Sequence, residues 1–303
     1  MTNITYSSSV KNELVREQIV SSCCLKAQAY GLVLFSRSFS SRSISFFTEN
    51  DKIALLYSQN ILELTNLKTQ TKTETESRKK IAVSLGTASE RLKLLEFFGH
   101  SSNELVLRIN RANISNDCCF GAFIRGAFLA CGTVTSPAKN YHFEFVVTHR
   151  RLCDDLILIL DEMGLSPKYI ERNNSHIIYF KDSENIEDIL TVMGATNSSL
   201  ELMGIKMQKD MRNSVNRKVN FEVANITRTI EASRIQISAI EYIESHGGLD
   251  SLPKVLIEIA TLRKNNPDKS LLDLGKMLKK PISRSGVNHR LCRIVKIAQE
   301  TES

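Results

Sequence analysis

The sequence of 303 residues has no apolar stretch long enough to span a membrane. Its most apolar short run, residues 156–160, is far shorter than the about 20 residues that a transmembrane helix needs. The N-terminal region also lacks a basic segment followed by an apolar run, the pattern of a secretory signal peptide. We therefore expect a cytoplasmic protein without membrane association, built from two or three globular domains.

Cysteine spacings typical of metal sites are absent too. No Cys-x-x-Cys occurs, and the seven cysteines are an odd number, which argues against a disulfide framework. The adjacent pairs Cys23-Cys24 and Cys118-Cys119 differ from the separation of about two to four residues usual among zinc ligands. We expect reduced thiols that act as small hydrophobes or neutral surface residues, with no metal or cofactor.

Acidic residues are scarce in the last third of the chain, which carries the whole net charge of +7. Residues 206–303 contain 18 Lys and Arg against 11 Asp and Glu, whereas residues 1–205 contain 22 of each. A basic end on a neutral body favours nucleic-acid binding by the C-terminal region. A solvated basic face is the alternative explanation of the charge alone.

A tandem repeat with a spacing of 95 residues occupies residues 1–205, with copies at about 15–108 and 110–203. The corresponding positions are Cys23-Cys24 and Cys118-Cys119, Gly31 and Gly126, Phe46 and Tyr141, Leu62 and Ile157, Leu64 and Ile159, Val83 and Ile178, Leu85 and Phe180, and Gly99 and Gly194. We expect one uninterrupted register and therefore two copies of the same fold.

Hydrophobic periodicity predicts helix, strands, helix, strands and helix in each copy, an α+β fold of the αββαββα type. The predicted strands include residues 44–47, 81–85, 141–145 and 176–180, and the second helices lie near 61–67 and 151–162. Residues 68–80 are polar throughout and are predicted to form a long hairpin loop.

Residues 123–134 resemble the LAGLIDADG helix of homing endonucleases, and residues 30–37 resemble it more faintly. In that family two such helices pack side by side at the centre of a pseudo-twofold saddle. The resemblance implies that Gly31 and Gly126 allow close approach of the two backbones. Such packing can offset the cost of about 1 kcal/mol that a helical glycine carries relative to alanine.

Active homing endonucleases end each of these helices in an acid that holds a divalent metal, which requires hard oxygen ligands. The matching positions here are Ser36 and Cys131, and no Asp or Glu lies within several residues of either. Gly132 keeps the final glycine of the motif, whereas Arg37 replaces it in the first copy. We therefore predict no catalytic residues and no nuclease activity.

Three blocks extend the resemblance over nearly the whole chain. Residues 119–132, 209–217 and 283–291 occur in this order in the WhiA family of bacterial sporulation and cell-division regulators, and residues 249–253 and 265–268 also look like that family. The resemblance implies a degenerate LAGLIDADG domain joined to a helix-turn-helix domain. It also implies a role in sporulation genes, or in cell division and chromosome segregation.

The residues of the C-terminal region also predict a helix-turn-helix domain independently of the family resemblance. A first helix begins near Ser251 and Pro253, a second is capped by Ser270 and ends at Pro281, and a third is capped by Ser283 or Ser285. The predicted core residues are Leu256, Ile259, Leu262, Leu271, Leu274, Leu278, Val287, Leu291, Ile294 and Val295. Gly275 lies on the buried face of the second helix and permits a close crossing.

The last helix is predicted to bind the major groove of double-stranded DNA. It begins with short polar residues, and residues 274–299 contain seven Lys and Arg but no Asp or Glu. Ser285, Asn288 and His289 are the predicted base contacts. The predicted phosphate or flanking contacts are Arg284, Arg290, Arg293 and Lys296. Ser283 is a further predicted DNA contact, and Lys276, Lys279 and Lys280 are additional candidates. A metal-binding or pH-sensing His289 is the weaker alternative to an imidazole that faces the groove.

A helical linker is predicted over residues 206–246, followed by the helix-turn-helix domain at 247–303, with Gly247-Gly248 at the boundary. One face of this linker helix is polar and consists of Arg212, Asn213, Asn216, Arg217 and Asn220. Three asparagines on one helical face need an explanation, because Asn is a poor helix former. An interdomain polar interface and an auxiliary DNA contact are both consistent with it.

The sequence thus predicts a non-catalytic, sequence-specific DNA-binding regulator associated with the nucleoid. An active metal-dependent homing endonuclease is one alternative, which the missing acids disfavour. Another is a saddle that binds a ligand or a protein partner while the helix-turn-helix alone reads DNA. The neutral charge of residues 1–205 keeps that possibility open, because a DNA-binding saddle is normally basic.

Overall fold

The computed structural model describes residues 5–19, 21–74 and 80–302. Contacts divide the chain into two compact units, Met1–Lys209 and Asp210–Ser303. Within the described part of the chain, no helix is both long and apolar enough to cross a membrane.

The first unit contains the predicted duplication of an αββαββα fold, preceded by the helix α1 (Tyr6–Arg16). The first copy comprises α2 (Ser22–Leu34), β1 (Ser38–Phe39), β2 (Ile44–Thr48), α3 (Asp51–Thr65), β3 (Gln70–Glu74), β4 (Lys80–Ser84) and α4 (Ala88–Phe97). The second comprises α5 (Asp117–Cys131), β5 (Gly132–Val134), β6 (Phe143–Val147), α6 (Arg150–Glu162), β7 (Lys168–Arg172), β8 (Ser175–Phe180) and α7 (Ser183–Met193). The predicted α+β fold class is confirmed.

Each copy forms a four-stranded antiparallel sheet with the same strand order, β1-β2-β4-β3 in the first and β5-β6-β8-β7 in the second. One face of each sheet is buried because apolar residues alternate along the central strands. Phe46 and Val83 fill the first sheet's core face, and Phe143 and Phe145 fill that of the second.

The helices α2 and α5 cross at the two glycines that the repeat aligned. A Cβ atom on Gly31 would lie 2.2 Å from the Phe123 carbonyl oxygen, and one on Gly126 would lie 2.1 Å from the Gln28 carbonyl oxygen. Only glycine permits this separation, because each obstacle is backbone that no rotamer change can move. The predicted close approach of the two helices is therefore confirmed.

The expectation of one uninterrupted register is wrong in the middle of the repeat. Phe46 pairs with Val83 in the first sheet, and Phe145 pairs with Ile178 in the second. The structural counterpart of Phe46 is therefore Phe145 rather than Tyr141. The loop of the β5–β6 hairpin is four residues longer than that of the β1–β2 hairpin. The spacing of 95 returns because α6 is two residues shorter than α3, and because the connection from α6 to β8 is two residues shorter than that from α3 to β4.

Two further boundaries differ from the prediction. The second helix of the first copy begins at Asp51 rather than near residue 61, because the Asn50 side chain caps it by accepting a hydrogen bond from the Lys52 amide. Residues 70–74 form the polar strand β3 rather than a loop, and pairing with β4 stabilises it despite its lack of apolar residues. Residues 75–79 of the predicted loop lie outside the described residues.

One continuous helix, α8 (Thr196–His246), contains the whole predicted linker and begins ten residues before it. The second unit continues with α9 (Lys254–Asn265), α10 (Leu271–Met277) and α11 (Arg284–Glu302). Pro253 precedes α9 instead of starting it, since residues 249–251 form a separate 3-10 turn. The core of this unit includes Ile240 and Ile243 of α8, together with Ile259, Leu274, Val287, Leu291 and Ile294.

Candidate nucleic-acid interface

The positions of the two missing acids come together in one pocket of the first unit. Ser36 follows the end of α2 and Cys131 is the last residue of α5, and both line a cavity of about 260 Å³. Among the described residues that line it, none is Asp or Glu. The cavity therefore offers a hydroxyl and a thiol where a nuclease presents carboxylates.

Electrostatics near this cavity oppose a divalent cation. Burial raises the pKa of Cys131 to about 12, so its thiol stays protonated and neutral at pH 7. Lys11 lies close enough to interact with Cys131, and burial lowers the pKa of this lysine to about 8. A neutral thiol beside a mostly protonated ammonium is a poor site for magnesium, which requires anionic oxygen ligands.

The two helices of the helix-turn-helix meet at Gly275. A Cβ atom there would lie 2.5 Å from the Ile282 carbonyl oxygen and 3.1 Å from a methyl group of Val287. The Ile282 amide also donates a hydrogen bond to the Gly275 carbonyl oxygen, over 3.2 Å. Gly275 therefore allows the turn to pass directly over α10 and fixes the position at which α11 starts.

Ser283 caps α11, which settles the choice that the sequence left open. Its hydroxyl accepts a hydrogen bond from the Gly286 amide over 3.2 Å. Val287, Leu291 and Ile294 are buried in the unit's core, as predicted, so the orientation of α11 about its axis is fixed. The opposite face of the helix is therefore the one presented to solvent.

Four residues that the sequence predicted for DNA contact, Ser285, His289, Arg293 and Lys296, lie on this opposite face of α11. All the predicted contact residues are exposed except Arg290, which is half-buried: the set comprises Ser283, Arg284, Ser285, Asn288, His289, Arg290, Arg293 and Lys296, with Lys276, Lys279 and Lys280 in and after α10. In the described part of the chain, none of their cationic groups forms an ion pair with an acid. These charges are thus free to interact with phosphates.

A buried arginine that the sequence analysis did not select holds this domain together. Arg263 on α9 is 1% exposed, and its Nε donates to Gln236 Oε1 on α8 over 2.8 Å. Its Nη1 donates to the Lys269 carbonyl oxygen over 2.9 Å, just before α10 begins. Burial lowers the pKa of Arg263, and among the described residues no carboxylate lies close enough to raise it again. One side chain therefore connects three segments.

The predicted polar face of α8, within residues 212–220, is exposed. Arg212, Asn213, Asn216, Arg217 and Asn220 are all solvent-accessible, and no described residue forms an ion pair with either arginine. This exposure is compatible with both roles that the sequence left open.

The structure also gathers cysteines that spacing within one segment could not connect. Cys23, Cys24, Cys118 and Cys119 come from the first turns of α2 and α5, and their sulfur atoms all lie within 4.8 Å of one another. The sequence signal was the alignment of both pairs in the repeat, combined with the expectation that the two helices pack together.

Comparison with known proteins agrees with this architecture. The family model of the WhiA LAGLIDADG-like domain matches residues 120–212, and that of the WhiA C-terminal HTH domain matches residues 215–298. The chain is 36% identical over 310 residues to the probable cell division protein WhiA of Alkaliphilus metalliredigens, covering 97% of this chain and 98% of that one. It is 38% identical over 312 residues to the same-named protein of Clostridium botulinum, covering 98% of each.

A solved structure shows the same similarity over the full chain. Full-length DUF199/WhiA from Thermatoga maritima superimposes with a TM-score of 0.60 at 25% sequence identity, covering 98% of both chains. The helix-turn-helix domain, the LAGLIDADG-like domain without its acids and the near-complete coverage of relatives all agree: the chain belongs to the WhiA family.

Proposed function

We propose that this protein is a non-catalytic, sequence-specific DNA-binding regulator of transcription. The observation that carries the proposal is the exposed, acid-free face of α11, whose cations have no ion-pair partner among the described residues. Relatives at 36% and 38% identity are named probable cell division proteins, which favours a role in division and chromosome segregation, or in sporulation where that occurs. Such a protein works in the cytoplasm, on the nucleoid.

The proposed roles of the side chains follow from their chemistry and their place on α11. Ser285, Asn288 and His289, near the start of the helix, are short polar groups suited to base edges in the major groove. The cations further along and around α10 are suited to phosphates, and these are Arg284, Arg290, Arg293, Lys296, Lys276, Lys279 and Lys280, aided by the Ser283 hydroxyl. The polar face of α8 supplies auxiliary contacts, to DNA or between domains.

The LAGLIDADG-like domain is proposed to have no nuclease activity. Its cavity carries Ser36 and Cys131 in place of carboxylates, and Lys11 adds positive charge nearby. The neutral balance of residues 1–205 supports a protein partner for this domain, with the helix-turn-helix as the principal DNA reader.

A selection of genomic DNA fragments by the full-length protein, in buffer with magnesium, tests the proposal. We expect a small set of fragments to be enriched and to remain uncut. Asn288→Ala and His289→Ala should each relax discrimination by about 1–3 kcal/mol at one base pair, whereas Lys254→Ala, an exposed lysine at the start of α9, should not. Equal recovery of all fragments would contradict sequence-specific binding, and magnesium-dependent cleavage would contradict the non-catalytic assignment.

A further inference from the structure

The four clustered cysteines occupy equivalent places at the start of two packed helices. Cys23 and Cys24 are the second and third residues of α2, and Cys118 and Cys119 are the second and third residues of α5. The glycine crossing of α2 and α5 places these first turns side by side. Two adjacent residues on one helix cannot surround an ion, but two such pairs facing each other supply four sulfur atoms around one point.

The distances fit a single tetrahedral metal ion. A zinc–sulfur bond of about 2.3 Å places neighbouring sulfurs of a tetrahedral site about 3.8 Å apart. Cys23 Sγ and Cys118 Sγ are 3.8 Å apart, and all four sulfurs lie within 4.8 Å of one another. A four-iron cluster needs a wider arrangement, because its four cysteines bind four separate irons. A disulfide needs sulfurs about 2.05 Å apart, much closer than this pair.

We propose that Cys23, Cys24, Cys118 and Cys119 form a four-thiolate zinc site that joins the two repeats. Four thiolates are the ligand set of closed, structural zinc sites, which keep no open position for chemistry. The site lies at the N-terminal ends of α2 and α5, whereas Ser36 and Cys131 lie at their C-terminal ends. At 1.5 Å per residue these ends are about 20 Å apart, so the zinc site is separate from the degenerate nuclease cavity.

The surroundings favour negative charge on these sulfurs. Both pairs lie in the first turn of a helix, where unpaired amides and the helix dipole stabilise anions. The Ser21 hydroxyl lies within hydrogen-bonding distance of Cys23, with 3.3 Å between Ser21 Oγ and Cys23 Sγ. The guanidinium of Arg125, 8% exposed, interacts electrostatically with Cys24 and supplies a compensating positive charge.

Zinc would replace protons that the thiols now share. Zinc binds the thiolate form of cysteine, so every thiol that is still protonated releases its proton to solvent on binding. The resulting site, one zinc ion with four thiolates, carries a net charge of −2. Affinity for zinc should therefore rise with pH.

Metal analysis of the full-length protein, purified under reducing conditions without chelators, tests this site. We expect one zinc per chain, released when a mercurial reagent modifies the thiols. Replacement of zinc by cobalt(II) should give the intense visible absorption of a tetrahedral thiolate site, which reports ligand type and geometry without any substitution. The double variant Cys23→Ser/Cys118→Ser should lose the metal and melt at a lower temperature. The control Cys292→Ser, at an exposed cysteine on α11, should keep both metal and melting temperature.

Three results would overturn the proposal. One is a reduced wild-type protein that binds no zinc and gives no tetrahedral cobalt spectrum when titrated with either metal. Another is iron with acid-labile sulfide in place of zinc. The third is full zinc content in the double cysteine variant. The cobalt titration of the wild type decides the question even if the double variant fails to fold.

Discussion

Gly126 and Gly204 are both helical glycines, but their surroundings predict opposite effects of alanine. A Cβ atom on Gly126 would lie 2.1 Å from the Gln28 carbonyl oxygen, whereas one on Gly204, in α8, would have no neighbour within 4 Å. We expect Gly126→Ala to lower the free energy of unfolding by about 1–3 kcal/mol, because α2 and α5 must move apart. Urea-induced unfolding followed by circular dichroism measures this change.

Gly204→Ala is the matched control for that substitution. It adds the same methyl group to a helix with open space around it, so it should raise the free energy of unfolding by up to about 1 kcal/mol through helix propensity. If Gly126→Ala is equally stabilising, the close approach of the two helices is incorrect.

Asp155 makes stability depend on pH through a defined network. Arg108 Nε and Nη2 donate to its carboxylate over 2.8 and 2.5 Å, and the Ile109 amide donates over 2.9 Å. Burial alone would raise the pKa of Asp155, but these hydrogen bonds outweigh it and the pKa is lowered. The contribution to stability is therefore complete above the unfolded-state pKa of about 4 and is lost as the pH falls through the lower folded-state value.

Asp155→Asn tests this network, since the amide cannot carry the charge that Arg108 binds. The variant should be less stable than the wild type at pH 7, and the difference should shrink as the pH falls below about 4. Urea unfolding at a series of pH values measures it. A difference that stays constant over that range would show that ionisation of Asp155 contributes nothing.

Sequence patterns predicted individual residues well where local chemistry decides and poorly where tertiary contacts decide. The alignment of Gly31 with Gly126 followed from the repeat, their close-packing role from the resemblance to the LAGLIDADG helix, and the apolar stripe of α11 from helical periodicity. The burial of Arg263 was not predicted, because an arginine near the end of a helix usually faces solvent, and its acceptors come from α8 and from the loop before α10.

Among the elements, α9 is joined to its neighbours by that buried arginine. Arg263→Met keeps most of the apolar stem but leaves Gln236 Oε1 and the Lys269 carbonyl oxygen without their donor. An unsatisfied buried group such as Gln236 Oε1 costs about 1–3 kcal/mol, so the second unit should become less stable by at least about 1 kcal/mol. Thermal unfolding monitored by calorimetry measures the loss.

Lys264→Met supplies the comparison at the next residue of the same helix. Lys264 is exposed and forms an ion pair with Glu244, and exposed pairs contribute about 1 kcal/mol or less. Similar losses for the two variants would mean that the buried hydrogen bonds of Arg263 have no special importance.

Element order was predictable from the sequence, but element register was not. The αββαββα order follows from hydrophobic periodicity in both copies. The four extra residues of the β5–β6 hairpin are not apparent in the sequence, because a shorter α6 and a shorter connection to β8 together restore the spacing of 95. Strand β3 is not apparent either, because its pairing with β4, not its own composition, makes it a strand.

At the scale of the whole molecule, charge and duplication carried most of the functional prediction. The basic excess of residues 206–303 predicted DNA binding by the C-terminal end, and the resemblance of residues 123–134 and 30–37 to the LAGLIDADG helix predicted a LAGLIDADG-like domain without its acids. The cysteine cluster could not come from spacing within one segment, because its two halves are 95 residues apart in the chain. Only the packing of α2 against α5 unites them.

The most direct test of DNA binding by α11 is the salt dependence of affinity for a selected DNA site. The full-length wild type is compared with the triple variant Arg284→Ala/Arg293→Ala/Lys296→Ala at several salt concentrations. Each lost phosphate contact should reduce the slope of log affinity against log salt by about 0.9, so the variant's slope should be shallower by about 2.7. An unchanged slope would contradict DNA binding by α11 and would place the phosphate contacts elsewhere on the protein.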